Sequence, residues 1–401
     1  MSAPRRQLRG HSSHPVARRA IALRVLGRAG LLAVALAGLS ACGGGDSPTT
    51  VTPPVEKTCA QDPTQAKCTT TPTGPSTLAA AATAKGGRYF GTAVDAFFTA
   101  ATPNAAYQTV LAREFNMLTP GNVMKWSSIN RDSRSDYRWA WPDSMVAYAQ
   151  AKGWKVHGHT LAWHQQNPTW LTSATWNPDT LNAVLKEHIA AVVGHYKGKI
   201  FVWDVVNEGL ADDGHLRMEG PWAPVLGQAY IETAFRAARA ADSTAELLYN
   251  DYNLEFPGAK QDSAFLLVQG LKAKGLIDGV GFQAHFQINA DGSGVPSRTS
   301  LTATFNRFAA LGLKVHITEL DVRVRTPGAL QAELDAQSKA YGDIVAACLA
   351  VSACESIVVW GVTDAESWIP STFAGWGQAL LFDNSYIKKA TYTAVFNALT
   401  Q

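Results

Sequence analysis

Eight apolar, strand-like runs alternate with helical patterns through most of the chain: Tyr89–Val94, Phe115–Thr119, Lys155–His159, Ile200–Val206, Glu246–Tyr249, Val280–Ala284, Lys314–Thr318 and Ser356–Trp360. The fourth is hydrophobic along nearly its whole length rather than at every second residue. Such a strand belongs in a parallel sheet covered on both faces, and parallel neighbours need a crossover, usually a helix. Trp139–Lys152, Pro178–Tyr196, Gly227–Ala240 and Leu330–Leu349 carry the helical spacing that supplies crossovers. Eight such units predict an α/β chain closed into a (β/α)8 TIM barrel. A doubly wound open sheet is the competing arrangement, but no glycine-rich phosphate turn follows the first run.

The runs end on side chains that do chemistry. In order they close on Asp95, then Asn122 and Lys125, His157 and His159, Asn207 and Glu208, Asn250 and Asp251, Gln283 and His285, Glu319 and Asp321, and Trp360. The C-terminal ends of barrel strands are where active sites sit. Glu208 and Glu319 each close a buried run, and two carboxyls at one barrel mouth suit cleavage of a glycosidic bond. One serves as acid and the other as nucleophile or base. A single strand-end glutamate is as readily an ordinary rim residue; the pair in this company is not.

The motifs are ordered along the chain: Asn122 and Lys125 with Trp126, Gly-His-Thr-Leu-Ala-Trp-His at 158–164, Trp-Asp-Val-Val-Asn-Glu at 203–208, Asn-Asp-Tyr-Asn at 250–253, Gln-Ala-His at 283–285, Ile-Thr-Glu-Leu-Asp at 317–321 and Trp-Gly-Val-Thr-Asp-Ala-Glu-Ser-Trp at 360–368. From Lys85 to Gln401 the chain resembles the glycoside hydrolase family 10 endo-β-1,4-xylanases. The resemblance implies Glu208 as general acid and base, with a pKa that must sit high, and Glu319 as nucleophile of a retaining hydrolysis. It implies that Asn207 bonds the sugar 2-hydroxyl, that His285 keeps Glu319 ionised, and that Lys125, His159 and Gln283 hold the sugar beside the cleaved bond with Asn122. Asp321 is expected to orient its neighbours. Sugar rings present apolar faces, so Trp163, Trp360 and Trp368 are expected to wall the site and Tyr252 to stack on the sugar beyond the scission point. Trp139, Trp141 and Trp154 are expected to pack in the core. The resemblance implies no cofactor and no catalytic metal.

One departure stands out. The family usually carries a glutamate where this chain has Gly121, and that glutamate bonds the second sugar on the non-reducing side. Its loss is expected to leave space and weaken that subsite. The loop Pro370–Gly377, rich in glycine and aromatics, reads equally as substrate wall or as an ordinary capping loop.

The first 41 residues read as a targeting segment, with a basic region containing Arg5, Arg6, Arg9, Arg18, Arg19, Arg24 and Arg28, then the apolar stretch Ala29–Leu39. Leu39-Ser40-Ala41-Cys42 resembles a bacterial lipobox, which implies cleavage before Cys42 and a lipid on its thiol; a plain secretory signal is the alternative. Residues 42–84 read as a tether: ten Thr and six Pro fall among the thirty-two residues from Asp46 to Thr77, too little apolar surface to pack. The remaining four cysteines are even in number and suggest local disulfides, Cys59–Cys68 and Cys348–Cys354. Net charge is only +3, with much of the excess in the leader, which argues against a nucleic-acid partner. The expectation is an exported enzyme on the cell surface or outer membrane, or else secreted or periplasmic. It acts as a monomer on xylan or xylo-oligosaccharides and touches membrane only through its lipid. A β-1,4-glucanase or mixed-specificity glycanase is the alternative enzyme, and a non-catalytic glycan-binding lipoprotein the alternative of another class.

Overall fold

The computed structural model describes residues 74–95 and 104–401. Cys42, Cys59 and Cys68, the leader and most of the tether lie outside them. Eight parallel strands form a closed ring: β1 Tyr89–Val94, β2 Met117–Pro120, β3 Lys155–Gly158, β4 Val202–Asn207, β5 Glu246–Asp251, β6 Gly279–Phe282, β7 Lys314–Arg325 and β8 Cys354–Val359. Each pairs with the next, and β8 returns to β1 with Ser356 opposite Tyr89. This is the expected (β/α)8 barrel.

The crossover helices form where expected and for visible reasons. In the helix Pro178–His195, Asn177 caps the first turn by accepting from the Thr180 N–H at 2.9 Å, with Pro178 at the position that needs no donor. Leu181, Val184, Leu185, Ile189, Val192 and Val193 fall on one face and are buried against the barrel. Inside the ring, Gly158 lets β3 approach β4: a Cβ there would sit 2.1 Å from the Trp203 ring. The Cys348–Cys354 disulfide is present, tying the helix Gln331–Leu349 to the start of β8.

Three expectations need correction. The packed part begins before Lys85: helix Leu78–Ala84, capped by Thr77, buries Leu78, Ala81 and Ala82 and donates the Leu78 N–H to Glu114. Its alanines gave no amphipathic signal strong enough to separate it from the tether. Trp141 is not a core residue; it is 53% exposed on the first turn of its helix. And β7 does not stop at Thr318. Leu320, Val322 and Val324 stay buried on one face while Glu319, Asp321, Arg323 and Arg325 alternate on the other, so the strand runs on to Arg325. Its outer half pairs with the short strands His285–Gln287 and Trp376–Gly377. Among the described residues no helix is long and apolar enough to cross a membrane.

Candidate active site

The C-terminal ends of the strands surround a cavity of about 700 Å3. Every residue expected to act on or touch the sugar lines it: Glu208, Glu319, Asn122, Lys125, His159, Trp163, Asn207, Tyr252, Gln283, His285, Trp360 and Trp368. Asp321 lies beneath, fully buried.

Amides join the two carboxyls. The Asn250 amide on β5 donates to Glu319 Oε1 at 2.7 Å and to Asn207 Oδ1 at 2.8 Å. Gln283 donates to the same Asn207 oxygen and to Glu208 Oε1, both at 3.1 Å. Asn207 therefore spends its carbonyl on two neighbours and turns its amide nitrogen to Glu208 at 3.3 Å. The chain Glu208–Gln283–Asn207–Asn250–Glu319 fixes one carboxyl relative to the other. Catalytic geometry has to be held in this way by partners that cannot drift.

The two carboxyls are held differently. Burial alone would push Glu319 up, but the His285 hydrogen bond, with the charges of His159 and His285, more than offsets it and holds the carboxyl below its ordinary range. His285 spans Glu319 Oε2 at 3.2 Å and Asp321 Oδ2 at 3.0 Å. Burial works against its proton, yet Asp321 and Glu319 together raise it to about 10. Asp321 also accepts from Trp368 Nε1 at 2.8 Å, so one buried carboxylate orients both the imidazole and an aromatic wall residue. Glu208 sits at the turn after β4 with φ of +54°, a left-handed conformation uncommon outside glycine. Its N–H donates to the Asn250 carbonyl and its own carbonyl accepts from Arg217 Nε, both at 2.9 Å. His164, 3.7 Å from the Glu208 carboxylate, is pushed down by burial.

A second buried layer supports the first. Asp204, on β4, meets His157 Nε2 and His159 Nδ1 at 2.9 Å each. Burial would raise it, but the two imidazoles hold it down at about 2. With its Nδ1 spent on Asp204, His159 has only Nε2 to offer the cavity. The walls are aromatic: Trp360 stands edge-on to His159 at 5.2 Å between centroids and Trp368 to His285 at 5.0 Å. Lys125 lies 5.0 Å above the Trp163 ring. Tyr252 lines the cavity with Lys260 Nζ 3.3 Å and the Arg217 guanidinium 5.6 Å from its ring centroid, and Arg217 donates to its hydroxyl at 2.7 Å.

The space expected beside Gly121 is taken. A Cβ on Gly121 would meet Asp95 Oδ2 at 2.6 Å, so the glycine makes room for the carboxylate that follows β1. Asp95 accepts from the Asn122 amide, whose carbonyl accepts from Lys125 Nζ at 3.0 Å. Burial raises Asp95 to about 6, against the pull of Lys125. Gly121→Glu must displace that carboxylate, so it is expected to lower kcat/KM on xylo-oligosaccharides by roughly tenfold, the scale of one charge-assisted hydrogen bond. An increase, measured on oligosaccharides long enough to reach past the scission subsite, would restore the empty-subsite reading.

Arg217, Asp204, Asn250 and Arg323 had no role assigned from sequence. Asp204 and Asn250 are visible as polar residues inside otherwise apolar strands, and Arg323 as the next member of the Glu319–Asp321 alternation. Arg217 lies in an irregular loop with no periodic signal. Among the described residues, two groups could offer three metal-ligating atoms: His159, Asp204 and Glu319 in the site, and Glu246, His316 and Glu355 on the barrel floor. In the first, the groups already engage one another or Asn250 and His285; in the second, Lys314 pairs with Glu355.

A parallel barrel whose mouth holds two amide-bridged carboxyls between tryptophan walls defines a glycoside hydrolase. The chain belongs to glycosyl hydrolase family 10, whose description matches residues 77–398. It is 41% identical over 329 residues to endo-1,4-beta-xylanase A of Fusarium oxysporum f. sp. lycopersici, covering 81% of this chain and 98% of that one. It is 41% identical over 290 residues to endo-1,4-beta-xylanase B of Thermotoga neapolitana, covering 72% and 82%. The crystal structure of xylanase 10B from Thermotoga petrophila in complex with xylobiose superposes with a TM-score of 0.77 at 38% identity, over 81% of this chain and 97% of that one.

Proposed function

We propose that this protein is an endo-1,4-β-xylanase that hydrolyses internal β-1,4-xylosidic bonds with retention of configuration. The observation that carries the reading is the amide-bridged pair Glu208 and Glu319, with Glu319 held ionised by His285. Glu319 attacks the anomeric carbon as Glu208 gives its proton to the departing sugar oxygen. Glu208 then takes a proton from water, whose oxygen displaces Glu319. In this reading Asn207 and Gln283, both hydrogen-bonded to Glu208, bond the sugar between the carboxyls, together with Lys125 and His159 of the same cavity. A non-catalytic glycan binder needs the aromatic walls but has no use for two carboxyls bridged in this way.

Incubating the protein and its Glu319→Ala variant with glucuronoxylan, arabinoxylan and carboxymethylcellulose, then sizing the products, tests the reading. Short xylo-oligosaccharides from the wild type alone are expected. Cleavage of the cellulose derivative in preference to both xylans would move the protein to the glucanase class, and no products at all would leave only the binder.

Export with a lipid on Cys42, residues 42 onward as tether, a Cys59–Cys68 disulfide and a monomeric catalytic unit complete the proposal. The lipobox-like Leu39–Cys42 and the Thr- and Pro-rich stretch behind it support it. The intact mass of the membrane-extracted protein, with or without acyl chains on its N-terminal fragment, decides between lipoprotein and secreted forms.

A further inference from the structure

Among the described residues of the cavity wall, Arg323 is the arginine or lysine with neither an ion pair to a carboxylate nor more than one acid acting on it. It lies on β7 on the same face as Glu319, four residues further out, and both line the same cavity. At roughly 3.3 Å per residue their Cα atoms are about 13 Å apart. The wall's other cations have acidic company. Lys125 lies in the fields of Glu319, Asp95 and Glu208; Arg217 has Glu219 at 4.0 Å; His285 is clasped by two carboxylates. Arg325, the next residue on the same face of β7, is bonded to Glu333 through two nitrogens at 2.8 and 2.9 Å.

Arg323 instead donates Nη2 to a neutral amide oxygen, that of Gln287, at 2.9 Å, while its Nε is buried with no hydrogen-bond partner. Asp321, two residues earlier on the strand, acts on Arg323 through its field but makes no ion pair with it, and its Oδ2 is engaged by His285 and Trp368. Two rings from the loop Pro370–Gly377 hold the guanidinium in place: Phe373 at 3.9 Å and Trp376 at 5.8 Å. Burial lowers the Arg323 pKa, and the field of Asp321 offsets that only in part. A partly buried guanidinium packed against two aromatic rings is suited to one ligand group above others, a carboxylate.

Unsubstituted xylan offers only hydroxyls and ether oxygens. The anionic group such a chain carries is the carboxylate of a uronic-acid branch. We propose that Arg323, backed by Phe373 and Trp376, receives the carboxylate of a uronic-acid side group on the xylan chain and so makes decorated xylan the preferred substrate. This rests on the xylanase reading above and deepens it. It also assigns the Pro370–Gly377 loop to the substrate wall rather than to capping alone.

The test compares glucuronoxylan with the same polymer after its carboxyls are reduced to alcohols, which keeps branch size and removes charge. The wild type is expected to show kcat/KM about tenfold higher on the charged polymer, the lower end for a charge-assisted hydrogen bond because Arg323 is partly exposed. In Arg323→Met the ratio falls towards one, and in Arg323→Lys it falls only in part. A ratio near one in the wild type, or one unchanged in Arg323→Met, overturns the proposal and leaves Arg323 as a strut for the loop. A second measurement does not depend on turnover: calorimetric binding of an aldouronic oligosaccharide and its reduced counterpart to Glu319→Gln protein. The same preference for the acid, lost with Arg323→Met, is expected, and equal affinities sink the idea. If the wild type cleaves no xylan, the functional reading fails by itself, and the binding comparison still decides whether Arg323 takes a carboxylate.

Discussion

Glu208→Ala is expected to lower kcat on xylan by about 10²–10⁴-fold, yet to leave the first cleavage of a dinitrophenyl xylobioside nearly intact. A departing sugar oxygen is too basic to leave without a proton, whereas a dinitrophenolate needs none. In the second step the same carboxyl must deprotonate water, so the variant stalls as a glycosyl-enzyme. Azide attacks without giving up a proton, so adding it is expected to restore turnover and yield a glycosyl azide of retained configuration. Glu319→Ala must behave differently: no covalent intermediate forms, and azide entering the vacated space gives the opposite anomer. Equal losses for both variants on both leaving groups would show that the two roles are wrongly divided.

The geometry supports this proposed division of roles. Glu319 lies within a strand, fixed by Asn250 and His285 and held below its ordinary pKa, as a nucleophile that must stay ionised requires. Glu208 sits on a left-handed turn after its strand, with only neutral amide donors, Asn207 and Gln283, on its carboxyl and Arg217 fastening the backbone behind it. A group that must gain and lose a proton each cycle is better served by neutral amides than by a cation bonded to it directly.

Much of this was legible in the sequence because buried parallel strands leave little choice. A run such as Phe201–Val206 has no polar side chain to spare except Asp204, so the residues after it must sit at the barrel mouth. The ring of strand ends follows from that pattern alone. Three features were hidden because they depend on neighbours distant in sequence. Gly121 reads as a missing side chain until Asp95, twenty-six residues earlier, is seen to occupy the space. Arg217 reads as a loop residue, although its guanidinium joins the end of β4 to Tyr252 beyond β5. The helix Leu78–Ala84 is helical because Glu114 and the barrel receive it, not because its alanines show a face. The outer half of β7 could have been read: Glu-Leu-Asp-Val-Arg-Val-Arg alternates throughout, the mark of a strand with one buried face.

His285→Gln is the variant expected to cost most in stability. In the wild type the imidazolium stands between Glu319 and Asp321, and removing it leaves two adjacent buried carboxylates with no cation between them. Breaking a buried pair by deleting one partner costs about 3–5 kcal/mol, which chemical denaturation at pH 7 measures. The pH dependence has a definite sign. The His285 pKa is raised in the folded state from 6.5 to about 10, so its contribution is fully present below pH 6.5 and fades as pH climbs through about 10. The wild type is therefore expected to lose stability on the alkaline side, and the variant to lack that component of the loss. Activity shifts at the opposite limb. Without His285 the Glu319 carboxyl loses the hydrogen bond and charge that hold it down, so burial lifts it, and the acid limb of kcat/KM moves to higher pH. Activity at pH 5 should then fall more steeply than at pH 7. A variant with wild-type stability and an unmoved acid limb would mean that His285 is a bystander and that Glu319 is kept ionised by Asn250 and His159 alone.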